Sequence, residues 1–216
     1  MLLEALSRPE VRQPVLEALK NAPESPDAGE DRLVLSGISW EQYLEIDEAF
    51  GHERATPRMY FCEGELEIMT TSFRHEKIKK WIADMLTDYL LEIGIEVSPH
   101  GQATIKILKE AGAEPDESWC FGEDKEFPDL VFEIALTSGG INKLNVYQRF
   151  GVSEVWFWRN NVIEIWALRK DKSGYEGPSV KSRLVPKLDL KLLMECLKLS
   201  SYRQARQTFR EKISKR

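Results

Sequence analysis

Glu114-Pro115-Asp116-Glu117-Ser118, followed by Phe127-Pro128-Asp129-Leu130-Val131-Phe132-Glu133-Ile134-Ala135, is the stretch that decides the fold. Each Pro-Asp pair opens a strand-like run. In the second run, period-2 alternation puts Leu130, Phe132, Ile134 and Leu136 on one face and Asp129, Val131, Glu133 and Ala135 on the other. Glu133 is thus flanked by apolar residues on a strand that reads as central. A carboxylate there is costly unless it is paired or bound to a cation. Two readings stand, a buried salt bridge or a functional site, and perturbed buried carboxylates cluster at sites.

Asp129 shares a face with Glu133 but lies four residues away, roughly 13 Å at the strand rise. Two carboxylates on one Mg²⁺ must each bring an oxygen to about 2.1 Å from it. Asp116 can lie on the neighbouring strand, about 4.8 Å across. Asp116 is therefore the expected partner, and Asp129 is expected to close a turn.

Outward from this stretch, the strands read as 95–99, 102–108, 116–121 and 129–136. A helix at about 141–150 stops at Gly151, and aromatic strand Val155-Trp156-Phe157-Trp158 turns through Arg159-Asn160-Asn161 into Val162–Leu168. Residues 174–184 suit an edge hairpin. Upstream, Ser39 and Gln42 form a capping-box signature for a helix over about 40–49. Glu63-Gly64 turns a hairpin between strands at 57–62 and 65–70. Residues 73–93 form the clearest helix, with Ile78, Trp81, Ile82, Met85, Leu86, Tyr89 and Leu90 at i, i+3, i+4 spacing. Helices are expected again at 189–197 and 200–215. The expected class is α/β (α+β), a central mixed β-sheet flanked by helices.

The length, 216 residues, suits one domain with short extensions. Residues 1–32 read as a helical extension interrupted by Pro9 and Pro14 plus a polar linker. Residues 33–198 form the domain, and 199–216 a basic C-terminal helix. The basic tail, including Arg203, Arg206 and Arg210, suits either phosphate contact or a solvated helix end. The net charge of −6 argues against a broad nucleic-acid surface but leaves room for a local basic patch. The three cysteines, Cys62, Cys120 and Cys196, have no zinc or disulfide spacing and read as free thiols of a cytoplasmic protein. No signal peptide or membrane span is expected.

On the helix at 141–150, Lys143 shares a face with Val146, Tyr147 and Phe150. It either snorkels to solvent or reaches the carboxylates, where its ammonium would orient water or stabilise charge on a phosphate. Two acidic ligands and a lysine suit metal-assisted phosphodiester hydrolysis.

Glu63-Gly64-Glu65-Leu66, His75-Glu76, Pro115-Asp116, Pro128-Asp129-Leu130-Val131-Phe132-Glu133, Lys143, Tyr147 and Gly151-Val152-Ser153-Glu154-Val155-Trp156, in this order and spacing, resemble the bacterial restriction endonuclease family of the PD-(D/E)XK superfamily. The resemblance covers about residues 40–170. It implies a restriction endonuclease-like core, Mg²⁺ or Mn²⁺ held by Asp116 and Glu133, DNA as substrate, and supporting roles for Glu65 and His75. The superfamily pattern places a lysine two residues after the Glu. Ala135 stands there, and Lys143 on the following helix is the expected replacement. Taken alone, Glu65 reads as a solvated strand-end carboxylate and His75 as a capping or surface residue. The alternatives are a catalytically degenerate member acting in binding or assembly, or a partner protein using the aromatic strand as an interface, including a homodimer.

Overall fold

The computed structural model describes residues 31–51, 56–136 and 140–214. The expected helices at 2–21 and the linker up to residue 30 lie outside them. Two sheets, rather than a single central one, carry the architecture. Strands β1 (Arg32–Ser36), β2 (Arg58–Cys62), β3 (Glu65–Met69), β5 (Ile105–Ile107) and β6 (Ala111–Ala113) form a five-stranded antiparallel sheet of order β1-β3-β2-β6-β5. Strands β4 (Val97–Pro99), β7 (Glu117–Phe121), β8 (Leu130–Ile134), β9 (Glu154–Arg159), β10 (Val162–Leu168) and β11 (Tyr175–Ser179) form a mixed sheet of order β11-β10-β9-β8-β7-β4. Only the β8–β9 pair is parallel, and helix α3 (Lys143–Phe150) lies in the crossover between its strands. The expected edge hairpin at 174–184 is the single strand β11, paired with β10.

The local signals act as their chemistry dictates. Helix α1 (Trp40–Phe50) begins at a full capping box: the Gln42 amide donates to Ser39 Oγ (3.2 Å) and the Ser39 amide to Gln42 Oε1 (2.8 Å). Helix α2 (Phe73–Glu92) is capped by Ser72, which accepts from the His75 amide at 3.1 Å. Gly151, left-handed at φ 70°, closes α3. Asn160 and Asn161 both take positive φ, which the tight turn between β9 and β10 requires. Strand β6 escapes the periodicity because Ala111-Gly112-Ala113 carries no bulky side chain; its glycine is needed because a Cβ there would collide with Tyr43.

Three packed layers follow. Met59, Phe61, Leu66 and Ile68 meet Trp40 and Tyr43 of α1. The other face of that sheet (Tyr60, Cys62, Met69) packs with Val146, Tyr147 and Phe150 of α3 and with Val131, Val155 and Phe157 of the second sheet. The far face of the second sheet (Leu130, Phe132, Ile134, Trp156, Trp158) is covered by α2, α4 (Leu190–Leu197) and α5 (Tyr202–Ile213). Trp156 and Trp158 are therefore core. Glu114-Pro115-Asp116 is the chain's passage from β6 to β7, from the first sheet into the second, so whatever stands there faces both sheets and α3.

Candidate active site

The β7–β8 register pairs Glu117 with Phe132 and Ser118 with Val131. Carried one step back, it sets Asp116 beside Glu133. The Ile134 amide donates to Asp116 Oδ2 at 2.6 Å, which fixes the carboxylate at the start of β7. Both carboxylates are buried.

Each has its own set of donors. Asp116 Oδ1 accepts from Arg58 Nη1 (2.5 Å) and lies 2.8 Å from His75 Nε2. Glu133 Oε2 accepts from Lys143 Nζ (2.8 Å), and Oε1 accepts from the Tyr147 hydroxyl. The Tyr60 hydroxyl lies 2.7 Å from the Glu114 carbonyl and 3.1 Å from Glu133 Oε2. A phenol has one proton, so these two acceptors compete for it. Lys143 arrives from the first turn of α3 and crosses the Tyr60 ring, its Nζ 3.7 Å from the centroid. It thus turns inward to Glu133 rather than outward to solvent.

These surroundings drive the two carboxyls apart. Burial raises Asp116, but His75, Arg58 and Lys143 outweigh it and hold the group well below the usual carboxylate range. Burial raises Glu133 too. Lys143 opposes this, the Asp116 charge reinforces it, and the net shift is upward. One carboxyl thus holds its proton less readily than an ordinary aspartate, while its neighbour takes one up more readily than an ordinary glutamate.

Arg58 was not among the candidates read from the sequence, yet it is the closest partner of Asp116. Its guanidinium also reaches the Pro115 carbonyl (3.0 Å), Gln102 Oε1 (2.9 Å) and Glu76 Oε1 (3.3 Å). Alternation along β2 could have found it: Arg58 and Tyr60 share the face opposite Met59 and Phe61. Glu67 is the second omission. It is fully buried opposite Tyr60, accepts from the Ile141 amide (2.7 Å) and lies 3.5 Å from Arg32 Nε. It thereby holds the segment that enters α3 just ahead of Lys143.

Among the residues expected from the sequence, Asp116, Glu133, Lys143 and His75 come together. Glu65 does not join them: it pairs with Cys62 at the turn end of β3, and its carboxylate accepts from Ser36 Oγ at 3.1 Å. Glu67, two residues on, is the carboxylate of β3 that is buried beside Tyr60. Asp129 closes its turn as expected, accepting from the Phe121 amide (2.7 Å) and Lys125 Nζ (2.6 Å). The tail docks on α2, where Arg206 grips Asp88 through Nε (2.6 Å) and Nη2 (2.9 Å).

A cleft of about 420 Å³ opens onto Glu133 and Lys143 and is lined also by Arg32, Asn142, Arg159 and Trp166. Arg32, Lys143 and Arg159 border it, each beside a carboxylate: Glu67, Glu133 and Glu164. No described helix is long and apolar enough to cross a membrane.

Residues 40–198 match the family model described as "Uma2: Putative restriction endonuclease". No curated protein matches the sequence. A crystal structure of "a putative nuclease belonging to DUF820" from Anabaena variabilis is 12% identical, covering 80% of this chain and 99% of its own, with a TM-score of 0.47. The family match runs from α1 past α4 and takes in Arg58, Asp116, Glu133 and Lys143; this chain belongs to the restriction endonuclease-like Uma2 family.

Proposed function

We propose that this protein is a metal-dependent endonuclease that hydrolyses phosphodiester bonds of DNA. The observation that carries the reading is the convergence of Asp116, Glu133 and Lys143, the last two of them lining a cleft bordered by Arg32 and Arg159. The donor chemistry suits Mg²⁺ or Mn²⁺. Two hard carboxylates stand side by side on adjacent strands, and each retains acceptor capacity: among the described residues, Asp116 Oδ2 and Glu133 Oε1 each take one hydrogen bond of the two an oxygen can accept. When bound, the cation supplies Lewis acidity at the phosphate and an acidified water.

The chain's own residues do the rest. Lys143 lies against Glu133 and is placed to stabilise negative charge developing on a phosphate oxygen. His75 and Arg58 keep Asp116 ionised and in one orientation. Arg32 and Arg159 offer phosphate contacts at the cleft mouth. The decisive experiment is cleavage of plasmid and linear DNA with Mg²⁺ or Mn²⁺, wild type against Asp116→Asn and Lys143→Met. Metal-dependent nicking in wild type alone supports the proposal. Equal activity in all three proteins refutes it.

A second reading, a catalytically degenerate member that binds rather than cuts, draws on the Arg58–Asp116 ion pair. Arg58 and Lys143 already balance the two carboxylates without a cation. In that case DNA is retained in a binding assay and no metal produces cleavage.

A further inference from the structure

Away from the cleft, Cys120, His100 and Asp124 each offer a metal-ligating atom, all within 4.8 Å of one another. His100 follows the edge strand β4, Cys120 lies on β7, and Asp124 belongs to the loop between β7 and β8. Cys120 and Asp116 stand four residues apart along the chain, about 13 Å at the strand rise. This cluster is therefore separate from the carboxylate pair.

The surroundings of the Cys120 thiol are unusual for an ordinary buried cysteine. His100 Nδ1 lies 3.9 Å from Sγ, the Lys125 carbonyl oxygen 3.6 Å and the Phe127 carbonyl oxygen 3.7 Å. Asp124 Oδ1 lies 2.5 Å from His100 Nε2. With the imidazole proton on Nε2 facing that carboxylate, Nδ1 is a bare lone pair. Nδ1 and two carbonyl oxygens then surround the thiol, whose single proton can satisfy only one of these acceptors. The separations match those expected around a tetrahedral cation, where Zn–S of ~2.3 Å and Zn–N of ~2.0 Å set S and N about 3.6 Å apart. The carboxylate on the far ring nitrogen is the partner that metal-bound histidines commonly have.

The geometry points to a site for a thiophilic divalent cation such as Zn²⁺, held by Cys120 Sγ and His100 Nδ1, with Asp124 orienting the imidazole and the Lys125 and Phe127 carbonyls facing the open positions. On binding, the thiol S–H bond breaks, its proton leaves to solvent, and the S–metal bond forms, so one proton is released per cation. The loop is already set for this. Asp129 fixes both ends of its turn through the Phe121 amide and Lys125, and the His100 amide donates to the Ser118 carbonyl at 2.8 Å. A cation here would fasten β4, joined to β7 by three residue pairs, to the β7–β8 loop.

Titration of the metal-stripped full-length chain with Co²⁺ tests this, read as the near-ultraviolet thiolate-to-Co²⁺ absorption band. Oxygen ligands at Asp116 and Glu133 do not give that band. Wild type shows it at one equivalent, and Zn²⁺ abolishes it. Cys120→Ser lacks it, Asp124→Asn weakens Co²⁺ binding about 10-fold, and Asp116→Asn retains the band in full. His100→Gln, at a partly exposed position, serves if Cys120→Ser does not fold, and it too loses the band. No band at millimolar Co²⁺ in wild type overturns the proposal. So does a band that survives in Cys120→Ser, which would belong to Cys62 or Cys196, or one that survives undiminished in His100→Gln, which would show that the imidazole is not a ligand.

Discussion

Arg58 Nη1 lies 2.5 Å from Asp116 Oδ1, and both side chains are closed to solvent. The arginine comes from the first sheet and the aspartate directly precedes β7 of the second, so one ion pair fastens the two sheets at the candidate catalytic carboxylates.

Breaking that pair from one side leaves a buried charge without a counter-ion. Asp116→Ala is expected to cost about 3–5 kcal/mol of stability and to abolish metal-dependent cleavage. In Arg58→Met/Asp116→Asn the two losses are less than additive, because neither charge is then stranded. Urea denaturation of the four proteins measures the coupling; strict additivity would contradict the pairing.

Lys143→Met is expected to lower the cleavage rate about 100- to 1000-fold, the usual effect of removing a charge-stabilising donor. The fold survives the change, because Glu133, whose protonation its buried surroundings make easier, keeps Tyr147 as a partner. Single-turnover cleavage together with thermal melting separates the two effects.

The opposite shifts of the carboxyls give opposite pH dependences. Glu133 binds its proton more tightly when folded, so its contribution to stability is complete below the unfolded value of about 4.3 and is lost as pH rises through the higher folded value. Asp116 contributes stability above about 3.9 and loses it only as pH falls through its lower folded value. The melting temperature of Glu133→Gln relative to wild type should therefore rise with pH. Cleavage by wild type should fall as acidification protonates Glu133, at a pH above that of an ordinary glutamate. Melting curves and rates across pH 4–8 (roughly, the span of carboxylate and histidine titration) check both signs.

Glu67 and Glu65 differ by two residues and by everything around them. Glu67→Gln weakens the hold on the Ile141 amide and Arg32 and should lower the rate about 10- to 100-fold by letting α3 and Lys143 shift. Glu65→Ala alters a partly exposed contact with Ser36 and should change stability by about 0.5 kcal/mol or less, with unchanged cleavage. Paired kinetics on the two variants decide the matter.

The sequence by itself determined most of the strands and helices and pointed to Asp116 as the neighbour of Glu133. Alternation set Glu133 apart from Leu130, Phe132 and Ile134 on β8, the strand rise made Asp129 a poor partner for it, and the signals at Ser39 and Gly151 marked helix ends. These are local effects, written in neighbouring side chains. Strands β1 and β6 were less legible, since one is partly exposed and the other consists of alanine and glycine. The tertiary structure alone decided which charges meet. Arg58 and Asp116 are separated by fifty-eight residues and Glu67 and Ile141 by seventy-four, and no periodicity within either segment encodes such a pairing. It arises because the chain passes from one sheet to the other at Glu114-Pro115-Asp116, where two inward faces and α3 bury their polar groups together and those groups must satisfy one another.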